Sequence, residues 1–372
     1  MADAFKVLHV IDSLREGGAE SLLYYFLKSA IDNTNLRCDV CTLYAGGGFE
    51  SKVRQLGIKV FCLGLQNKYS LSGIPKMMKM ISSSAYDIVH THLFPASGYV
   101  AMASILNRKP TYVHTEHSEN NRRRTMKVFK VIDRLQYRPF KLVIAVGKST
   151  RSELDSWLPE LSSRLRVIEN AVPVNEIHEA GTRAGSQRMY DMDVIFVGRL
   201  TEAKGVDCLL RAVAIAQRKL GKPIKTCIVG DGPLKAQLEN LAISLGLNEV
   251  CFVTPQENIY EWMACSRVIA LPSRWEGLPM VLLEAMAIMR PAIIATPVGG
   301  MKDVLEDNAS GILVSVDDAQ QLASAICCLL EDEDLRNRLA HEAFRIAKEK
   351  YDIERMVEQT LSLYRLVTRL DN

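Results

Sequence analysis

Residues 268–286 read VIALPSRWEGLPMVLLEAM, in which an apolar run, a polar loop and an apolar helical segment follow one another directly. The run at 268–271 is typical of a buried strand of a parallel sheet. Pro279 suits the first turn of the helix that follows the loop. Because parallel strands need long crossovers, usually helices, the stretch predicts one strand-and-helix unit of a parallel α/β sheet. Ligands bind such sheets beyond the carboxyl ends of the strands, so the loop at 272–279 is a candidate site.

The same alternation of apolar runs and amphipathic segments continues along all 372 residues. Strands are predicted at 6–11, 39–43, 60–63, 87–90, 111–114 and 142–146, and again at 194–197, 225–229, 250–252, 268–271, 292–295 and 312–314. Between the two series, Gly181 and Gly185 interrupt any periodicity at 172–191, which predicts an irregular linker. We therefore expect two doubly wound, Rossmann-like domains, at 1–175 and 176–352. The tail from Leu335 reads as helix, and 353–372 is expected to pack back on the first domain.

Composition excludes several classes of protein. Hydrophobic residues make up 48% and charged residues 24%, as in folded soluble proteins rather than disordered or fibrous ones. The sequence shows neither a signal peptide nor a run of about 18 apolar residues, so a cytoplasmic protein is expected. The nine cysteines include a lone CxxC, Cys38 and Cys41, which favours reduced core thiols over a zinc site. Net charge is +3 with the basic excess in the first half, which suggests an anionic partner there.

Two glycine-containing loops precede predicted helices. Gly17 and Gly18 end the loop after the first strand, where N–H groups at a helix start favour an anion. Their spacing is not GxGxxG and no acidic residue ends the next strand, so a dinucleotide cofactor is not supported. In the second half, Gly198 is followed by Arg199 and Lys204, a planar fork and a point charge that together suit a diphosphate. For Gly17 and Gly18 the structural alternative is a tight turn, and for Arg199 and Lys204 it is a pair of exposed loop charges.

Two carboxylates flank the loop-to-helix junction of the opening stretch. Glu276 lies in the loop, and Glu284 lies inside the apolar helix, where a carboxylate needs a partner. The N–H groups of Gly277 and Leu278, next to Pro279, mark a helix start at which a phosphate fits. Vicinal hydroxyls, as on a ribose or a hexose, are suitable partners for both carboxylates. The pattern predicts a nucleotide-sugar site, with an ordinary buried ion pair of Glu284 as the alternative.

The motifs EGGAE, VGRL with EAKG, VGDGP, LPSRWEGLPMVLLEAM and ATPVGG together resemble glycosyltransferase family 4 along nearly the whole chain. The most specific motif, a glutamate, seven residues and a second glutamate, is present as Glu276 and Glu284. The resemblance implies the GT-B fold, in which two Rossmann-like domains face each other across a cleft. It implies a retaining, metal-independent transfer of a sugar from a nucleotide donor, UDP being favoured over GDP, to a glycan acceptor. It implies no separate cofactor.

The resemblance also implies a role for each matched residue. Glu284 matches the carboxylate that binds the ribose hydroxyls, and Glu276 matches the one near the donor sugar. His117, in VHTEHS, matches the active-site histidine near the C6 hydroxyl of the donor sugar, with His114 from the same strand end as the alternative. The residues matched to the diphosphate, which is stabilised as it leaves, are Gly17, Gly18, Arg199 and Lys204.

Two further features of the first half concern partners. His90 and His92 share one face of a strand end, where lining the acceptor side is expected and metal ligation is the alternative. A basic segment, NNRRRTMKVFK, lies in or near one predicted helix. We expect it to contact anionic lipids at the cytoplasmic membrane face, and a solvated charged face is the alternative. Nucleic acid is not supported, because the segment lacks interleaved aromatic residues. The basic residues of this segment are Arg122, Arg123, Arg124, Lys127 and Lys130.

The expected cellular role is the synthesis of a surface polysaccharide or glycoconjugate on a lipid-linked acceptor. Two alternatives keep the fold. A non-hydrolysing sugar-nucleotide epimerase would release no free nucleoside diphosphate. A non-catalytic scaffold would have no need of the four charged residues Arg199, Lys204, Glu276 and Glu284 together.

Overall fold

The computed structural model describes residues 5–15, 17–33, 36–117, 126–187, 191–254 and 259–369. The chain folds as two compact units. Unit 1 comprises Met1–Ala171 and Ile353–Asn372, and unit 2 comprises Val172–Asp352. Each unit is built on a parallel sheet with helical crossovers, so the predicted α/β architecture is confirmed.

The sheet of unit 1 has the strand order β3-β2-β1-β4-β5-β6-β7 among the described residues. Its strands are β1 (Lys6–Ile11), β2 (Arg37–Thr42), β3 (Lys59–Cys62), β4 (Ile88–His92), β5 (Thr111–Glu116), β6 (Leu142–Ala145) and β7 (Leu165–Val167). Its helices are α1 (Gly18–Asn33), α2 (Gly48–Gln55), α3 (Gly73–Ser82), α4 (Ala96–Ala103), α5 (Lys127–Tyr137), α6 (Lys148–Trp157) and the C-terminal α15 (Ile353–Arg369), with a 3-10 helix at Pro159–Arg164.

In the centre of this sheet, β4, which pairs with β1, and β5, which pairs with β4, are buried along their whole length. Apolar side chains therefore cover both faces of the sheet, as is usual for parallel strands. Val89 belongs to the core on one face and Ile88 to the core on the other, which also holds Phe26 of α1 and Tyr364 of α15. Helix α15 thus packs back on unit 1, as expected.

The sheet of unit 2 has the strand order β10-β9-β8-β11-β12-β13 among the described residues. Its strands are β8 (Met192–Val197), β9 (Thr226–Val229), β10 (Val250–Val253), β11 (Ser266–Leu271), β12 (Ala292–Ala295) and β13 (Ile312–Leu313). Its helices are α7 (Val174–Gln187), α8 (Val206–Leu220), α9 (Lys235–Ser244), α10 (Ile259–Ala264), α11 (Met280–Ile288), α12 (Met301–Val304), α13 (Ala319–Glu331) and α14 (Glu333–Lys350), with a 3-10 helix at Glu202–Lys204.

Both sheets reverse their winding direction beside the first strand. In unit 1, β1 lies between β2 and β4, and in unit 2, β8 lies between β9 and β11. The crossovers on the two sides of that strand run in opposite directions. In unit 1 the loops after β1 and β4 therefore diverge, and in unit 2 the loops after β8 and β11 do the same. Such a switch point leaves a crevice at the carboxyl edge of the sheet, which is where doubly wound folds bind ligands.

The secondary structure departs from the prediction at the linker and at β7. The predicted linker at 172–191 is mostly helix α7, and Gly181 lies inside it: a Cβ there would lie 3.1 Å from Ile288 of α11, so glycine allows close helix packing. The tail is helical, as predicted, in two segments, α14 and α15; they are separated at Tyr351, whose carbonyl accepts the Val172 N–H at 3.0 Å. The short strand β7 was not predicted.

Candidate functional site

The switch point of unit 2 is formed by the loop at 198–205, after β8, and the loop at 272–279, after β11. Gly205 has φ +63°, and a Cβ there would lie 2.1 Å from the carbonyl oxygen of Pro272. The Arg274 N–H donates to the Ala203 carbonyl at 2.7 Å. Only glycine permits this approach and this positive φ without strain, so Gly205 allows the two loops to pack against each other.

Lys204 and Glu276, one from each loop, form an ion pair through Nζ and Oε1. Their side chains are 20% and 16% exposed, respectively. The hydroxyl of Ser273 donates a long hydrogen bond to the same carboxylate oxygen, at 3.4 Å. Two residues that the motifs assigned to different parts of a donor, the diphosphate and the sugar, are therefore side by side in space.

The ammonium of Lys204 is in an environment poor in water. Burial, followed by the positive charge of Arg199, lowers the pKa of Lys204 to about 8. The Glu276 carboxylate acts in the opposite direction, since an opposite charge favours the ammonium form. Arg199 itself is exposed, at the start of the same loop. This concentration of positive charge, only partly neutralised, suits a polyanion such as a diphosphate.

Arg274 is a functional candidate that the sequence reasoning missed. Its guanidinium donates to Asp207 at 2.9 Å, to Asp317 at 2.8 Å and to the Glu202 carbonyl at 2.8 Å. These hydrogen bonds raise its pKa further above the ordinary arginine value. Arg274 thereby fixes the Lys204 loop against the Glu276 loop. Its position inside the LPSRWEGLP motif was the available signal, but its partners lie far away along the chain.

The glycines of ATPVGG support the Glu276 loop from its other side. Gly299 has φ +54°, and a Cβ there would lie 1.9 Å from the Glu276 carbonyl oxygen. The Gly300 N–H donates to the Gly277 carbonyl at 2.9 Å. The backbone at Gly277 and the buried Leu278 is therefore held by direct packing against this glycine pair.

Glu284 lies in the middle of α11, with 9% of its surface exposed. The Tyr260 hydroxyl is 3.5 Å from its Oε1. Helix α11 begins at Met280, so Pro279 is the residue just before the helix rather than part of its first turn. Glu276 and Glu284 thus stand on the two sides of the helix start, as the motif predicts.

In unit 1, Gly17 and Gly18 stand at the start of α1, and the Gly17 carbonyl accepts the Ser21 N–H at 2.9 Å. A Cβ on Gly17 would lie 2.4 Å from the carboxylate of Glu20, which is in the first turn. At the switch point itself, Asp12 accepts the N–H of Ala96 at 3.0 Å. Burial raises the pKa of Asp12 to about 7. This carboxyl group is therefore a further candidate, which the sequence analysis missed.

Several of the seven histidines of the chain cluster on one face of this sheet. Nδ1 of His9 is 3.1 Å from Nε2 of His92, and Nδ1 of His92 is 3.3 Å from Nε2 of His117. His90 is hydrogen-bonded to Tyr364 at 2.5 Å and to Thr115 at 2.7 Å. His90 and His92 share this face, as predicted. His9 was missed, because a histidine in the middle of the first strand carries no local signal.

His114, the alternative to His117, lies on the opposite face of the sheet. It is buried, bonds Thr91 at 2.8 Å, and packs against the rings of Tyr137 and Phe140. His117 is partly exposed just beyond the end of β5. Of the two, His117 is therefore the residue that a ligand at the carboxyl edge can reach.

Distances alone would allow His9, His90 and His92 to hold a metal ion, because one nitrogen of each lies within 4.8 Å of the others. However, both nitrogens of His90 and both of His92 are already in hydrogen bonds. Coordination would have to break these bonds. The described geometry is that of a hydrogen-bond network.

Helix α5 has an exposed apolar stripe. Together with the residue before the helix, the stripe consists of Met126, Val128, Val131, Ile132 and Leu135, which are 47–62% exposed. The spacing of the helical members places them on one face. Nζ of Lys130 lies 5.5 Å from the ring centre of Trp157. Arg122, Arg123 and Arg124 lie outside the described residues, as does the side chain of Lys127.

Comparison with protein families matches both halves of the chain. Residues 16–176 match the model of Glycosyltransferase Family 4, and residues 185–345 match that of Glycosyl transferases group 1. Nearly all of the switch-point residues described above fall inside these two ranges. In the described part of the chain, no helix combines the length and the apolar character that crossing a membrane requires.

Curated relatives include a Campylobacter jejuni enzyme named as an alpha-1,4-N-acetyl-D-galactosaminyltransferase that acts on a diNAcBac-PP-undecaprenol glycan. It is 26% identical over 365 residues, covering 96% of this chain and 98% of its own. The alpha-D-kanosaminyltransferase of Streptomyces kanamyceticus is 33% identical over 190 residues, 49% of each chain.

Solved structures share the whole fold. HepE of Anabaena, in complex with UDP and glucose, superposes with a TM-score of 0.83 at 24% identity, covering 96% of this chain and 99% of its own. Sucrose-phosphate synthase of Thermosynechococcus elongatus gives 0.80 at 18% identity, covering 98% and 100%. The GT-B fold expected from the motifs is thus confirmed, and the chain belongs to the family 4 glycosyltransferases.

Proposed function

We propose that the chain transfers a sugar from a UDP-activated donor to a lipid-linked glycan, with retention of anomeric configuration and without a metal ion. The observation that carries this proposal is the pairing of Lys204 with Glu276 at the switch point of unit 2. In the proposal, Lys204 is the cation for the diphosphate, and Glu276 beside it is the carboxylate for the sugar hydroxyls. Both lie in the region that matches the group 1 glycosyl transferases.

In this proposal the diphosphate of the donor binds Arg199 and Lys204. It would draw the Lys204 ammonium from Glu276, whose oxygens could then accept hydrogen bonds from hydroxyls of the donor sugar. Glu284 would accept hydrogen bonds from the ribose. As the bond between the sugar and the diphosphate breaks, the two cations stabilise the charge that develops on the leaving oxygen.

Retention would follow from attack on the face that the diphosphate leaves. The acceptor oxygen bonds to the anomeric carbon, the bond from that carbon to the phosphate oxygen breaks, and a phosphate oxygen takes the acceptor proton. No protein nucleophile is needed. His117 would contribute a hydrogen bond to the donor sugar, the role that its family position implies.

The choice of donor and acceptor is supported by the neighbours. HepE was solved with UDP and with UDP-glucose. The Campylobacter relative, which this chain matches over 96% of its length, is named for an undecaprenol-linked glycan. Acceptors of this kind lie at a membrane, where the exposed stripe of α5 and the basic segment at 122–130 would insert and bind anionic headgroups.

The test begins with melting temperature in the presence of UDP, GDP or ADP and their sugars, in EDTA, because a ligand that binds only the native state must raise it. The stabilising donor is then incubated with an undecaprenyl-diphosphate glycan, and nucleoside diphosphate release and the anomeric configuration of the product are measured. We expect UDP release and a retained configuration. An altered nucleotide sugar without UDP release would indicate an epimerase, and no ligand response at all would indicate a scaffold.

Membrane contact is tested separately by co-sedimentation with phosphatidylglycerol and phosphatidylcholine vesicles. We expect binding to the anionic vesicles, and its reduction in Leu135→Ser. Ile243→Ser, which changes an exposed apolar residue of unit 2, is the matched control. Equal binding of Leu135→Ser and Ile243→Ser to the anionic vesicles would show that α5 does not contact the membrane.

A further inference from the structure

His9, His92 and His117 form a continuous hydrogen-bonded chain across three neighbouring strands of unit 1. His9 lies on β1 and His92 ends β4, while His117 follows β5 directly. The nitrogen pairs are His9 Nδ1 with His92 Nε2, at 3.1 Å, and His92 Nδ1 with His117 Nε2, at 3.3 Å. Each imidazole therefore restricts the proton position of the next one.

All three imidazoles are held in the neutral form. Burial lowers the pKa of His9 to about 3 and that of His117 to about 4, and it places the pKa of His92 well below the ordinary value. A neutral imidazole has one N–H and one lone pair. His92 must therefore donate one of its two hydrogen bonds and accept the other. Either every donor N–H faces the ring nearer to His117, or every donor N–H faces the ring nearer to His9.

The two directions differ at Nε2 of His9, which is buried and has no hydrogen-bond partner among the described residues. If the chain points toward His117, this nitrogen keeps a lone pair; if it points toward His9, an N–H is left unsatisfied. Leu22, Leu23 and Phe26 line the cavity around His9, and Phe26 packs edge-on at 5.6 Å between ring centres. A buried N–H group without a partner is rarer than a buried lone pair without one, and the phenyl ring of Phe26 is only a weak acceptor. The direction toward His117 is therefore favoured.

We propose that His9 and His92 are positioning residues that hold His117 in the tautomer with its proton on Nδ1. This inference rests on the role proposed above for His117. In that tautomer Nε2 accepts from His92 and Nδ1 donates, so His117 presents a hydrogen-bond donor to a substrate oxygen. It cannot act as a general base through Nδ1.

The other histidines of unit 1 do not enter this chain. His90 stacks on His92, with ring centres 4.4 Å apart, but its own nitrogens bond Tyr364 and Thr115. His114 bonds Thr91 on the opposite face. A substitution at His114 is therefore a matched control, since it removes a buried histidine of the same sheet without removing a hydrogen bond of the chain.

The test uses the full-length protein with ¹⁵N-labelled histidine, in EDTA and without substrate. Long-range ¹H–¹⁵N spectra identify the protonated nitrogen of each ring, and seven histidines give a tractable spectrum. We expect His117 in the Nδ1–H form in the wild type and in His114→Leu. His9→Leu removes the first donor and should give a mixture of both tautomers at His117. His9→Asn places an amide N–H near the same position and should restore the Nδ1–H form.

The proposal is overturned if His117 carries its proton on Nε2 in the wild type, if it is an imidazolium at pH 7, or if His9→Leu leaves its tautomer unchanged. In a second sample without EDTA, binding of added Zn²⁺ to His9 and His92 with shifts of both rings would overturn it as well. Because the spectra need no donor or acceptor, their outcome is independent of whether the chain transfers a sugar. In a working transfer assay, we expect His9→Leu to lower kcat more than it changes KM, and His9→Asn to recover most of the loss.

Discussion

The switch points of the two units share a strand order but differ in their charge. In unit 2, Lys204 and Glu276 meet as an ion pair at the carboxyl ends of β8 and β11. In unit 1, burial raises the pKa of Asp12 to about 7 and keeps His92 and His117 neutral. The same topology therefore supports one site with an ion pair and another with a partly ionised carboxyl group and neutral imidazoles.

This difference shows that topology determines where a site lies, and side-chain burial determines its chemistry. A partly exposed pair such as Lys204 and Glu276 can exchange its partners for those of a charged ligand. Desolvation lowers the pKa of His117 to about 4, so near pH 7 this imidazole is neutral and acts through the direction of its hydrogen bonds.

Removing the cation of unit 2 should have the largest effect. Lys204→Met takes away the charge that we propose stabilises the leaving diphosphate, so we expect kcat to fall about 100- to 1000-fold with an unchanged circular dichroism spectrum. Lys222→Met, at an exposed lysine of the same unit, is the control. Activity of Lys204→Met within a few-fold of the wild type would disprove the assigned role.

Moving the Glu276 loop should have the next largest effect. Gly299→Ala forces a Cβ against the Glu276 carbonyl, and a displacement of about 1 Å can cost up to about 100-fold in rate. Gly246→Ala introduces the same strain at φ +69° but meets no atom within 4 Å, so it should cost only about 1 kcal/mol of stability. Turnover and melting temperature are compared in the two variants. Equal rates would show that the Gly299 contact does not position Glu276.

Glu284→Gln should weaken nucleotide binding by about 10- to 100-fold, because hydrogen bonds to a charged group contribute about 1.5–3 kcal/mol each. Isothermal titration with UDP measures the effect. Glu249→Gln, at an exposed glutamate of unit 2, is the control and should leave the Kd unchanged. If Glu284→Gln binds UDP as tightly as the control does, the buried carboxylate has a structural role only.

The smallest predicted effect is the pH dependence, and it compares the two units directly. Because the pKa of Lys204 is about 8, its ammonium loses its proton above that pH, and UDP affinity should fall up to about tenfold between pH 7 and 9. Lys204→Arg, which stays charged, should remove this dependence. His117, with a pKa of about 4, should produce no break near pH 6.5. Such a break in the rate profile would mean that His117 is less buried than the structure shows.

Local patterns were sufficient for most of the architecture. The apolar runs predicted nearly every strand of both sheets, because a buried parallel strand needs a continuous apolar segment. They failed at α7, where Gly181 reads as a helix breaker until its contact with Ile288 is known. The predicted site residues of unit 2 were identified from motifs. Arg274 was not, because its role depends on hydrogen bonds to Asp207 and Asp317, which are remote from it along the chain.

The sequence by itself determined the two α/β units, the glycine turns and the types of charged residue at each strand end, because these depend on neighbours along the chain. Only the tertiary structure decided which of these side chains meet. The contact of Lys204 with Glu276 depends on β8 and β11 being adjacent, and the chain from His9 to His117 depends on the register of three strands. Burial, which lowers the pKa of Lys204 and of the three histidines, is likewise a property of the assembled core and not of any local segment.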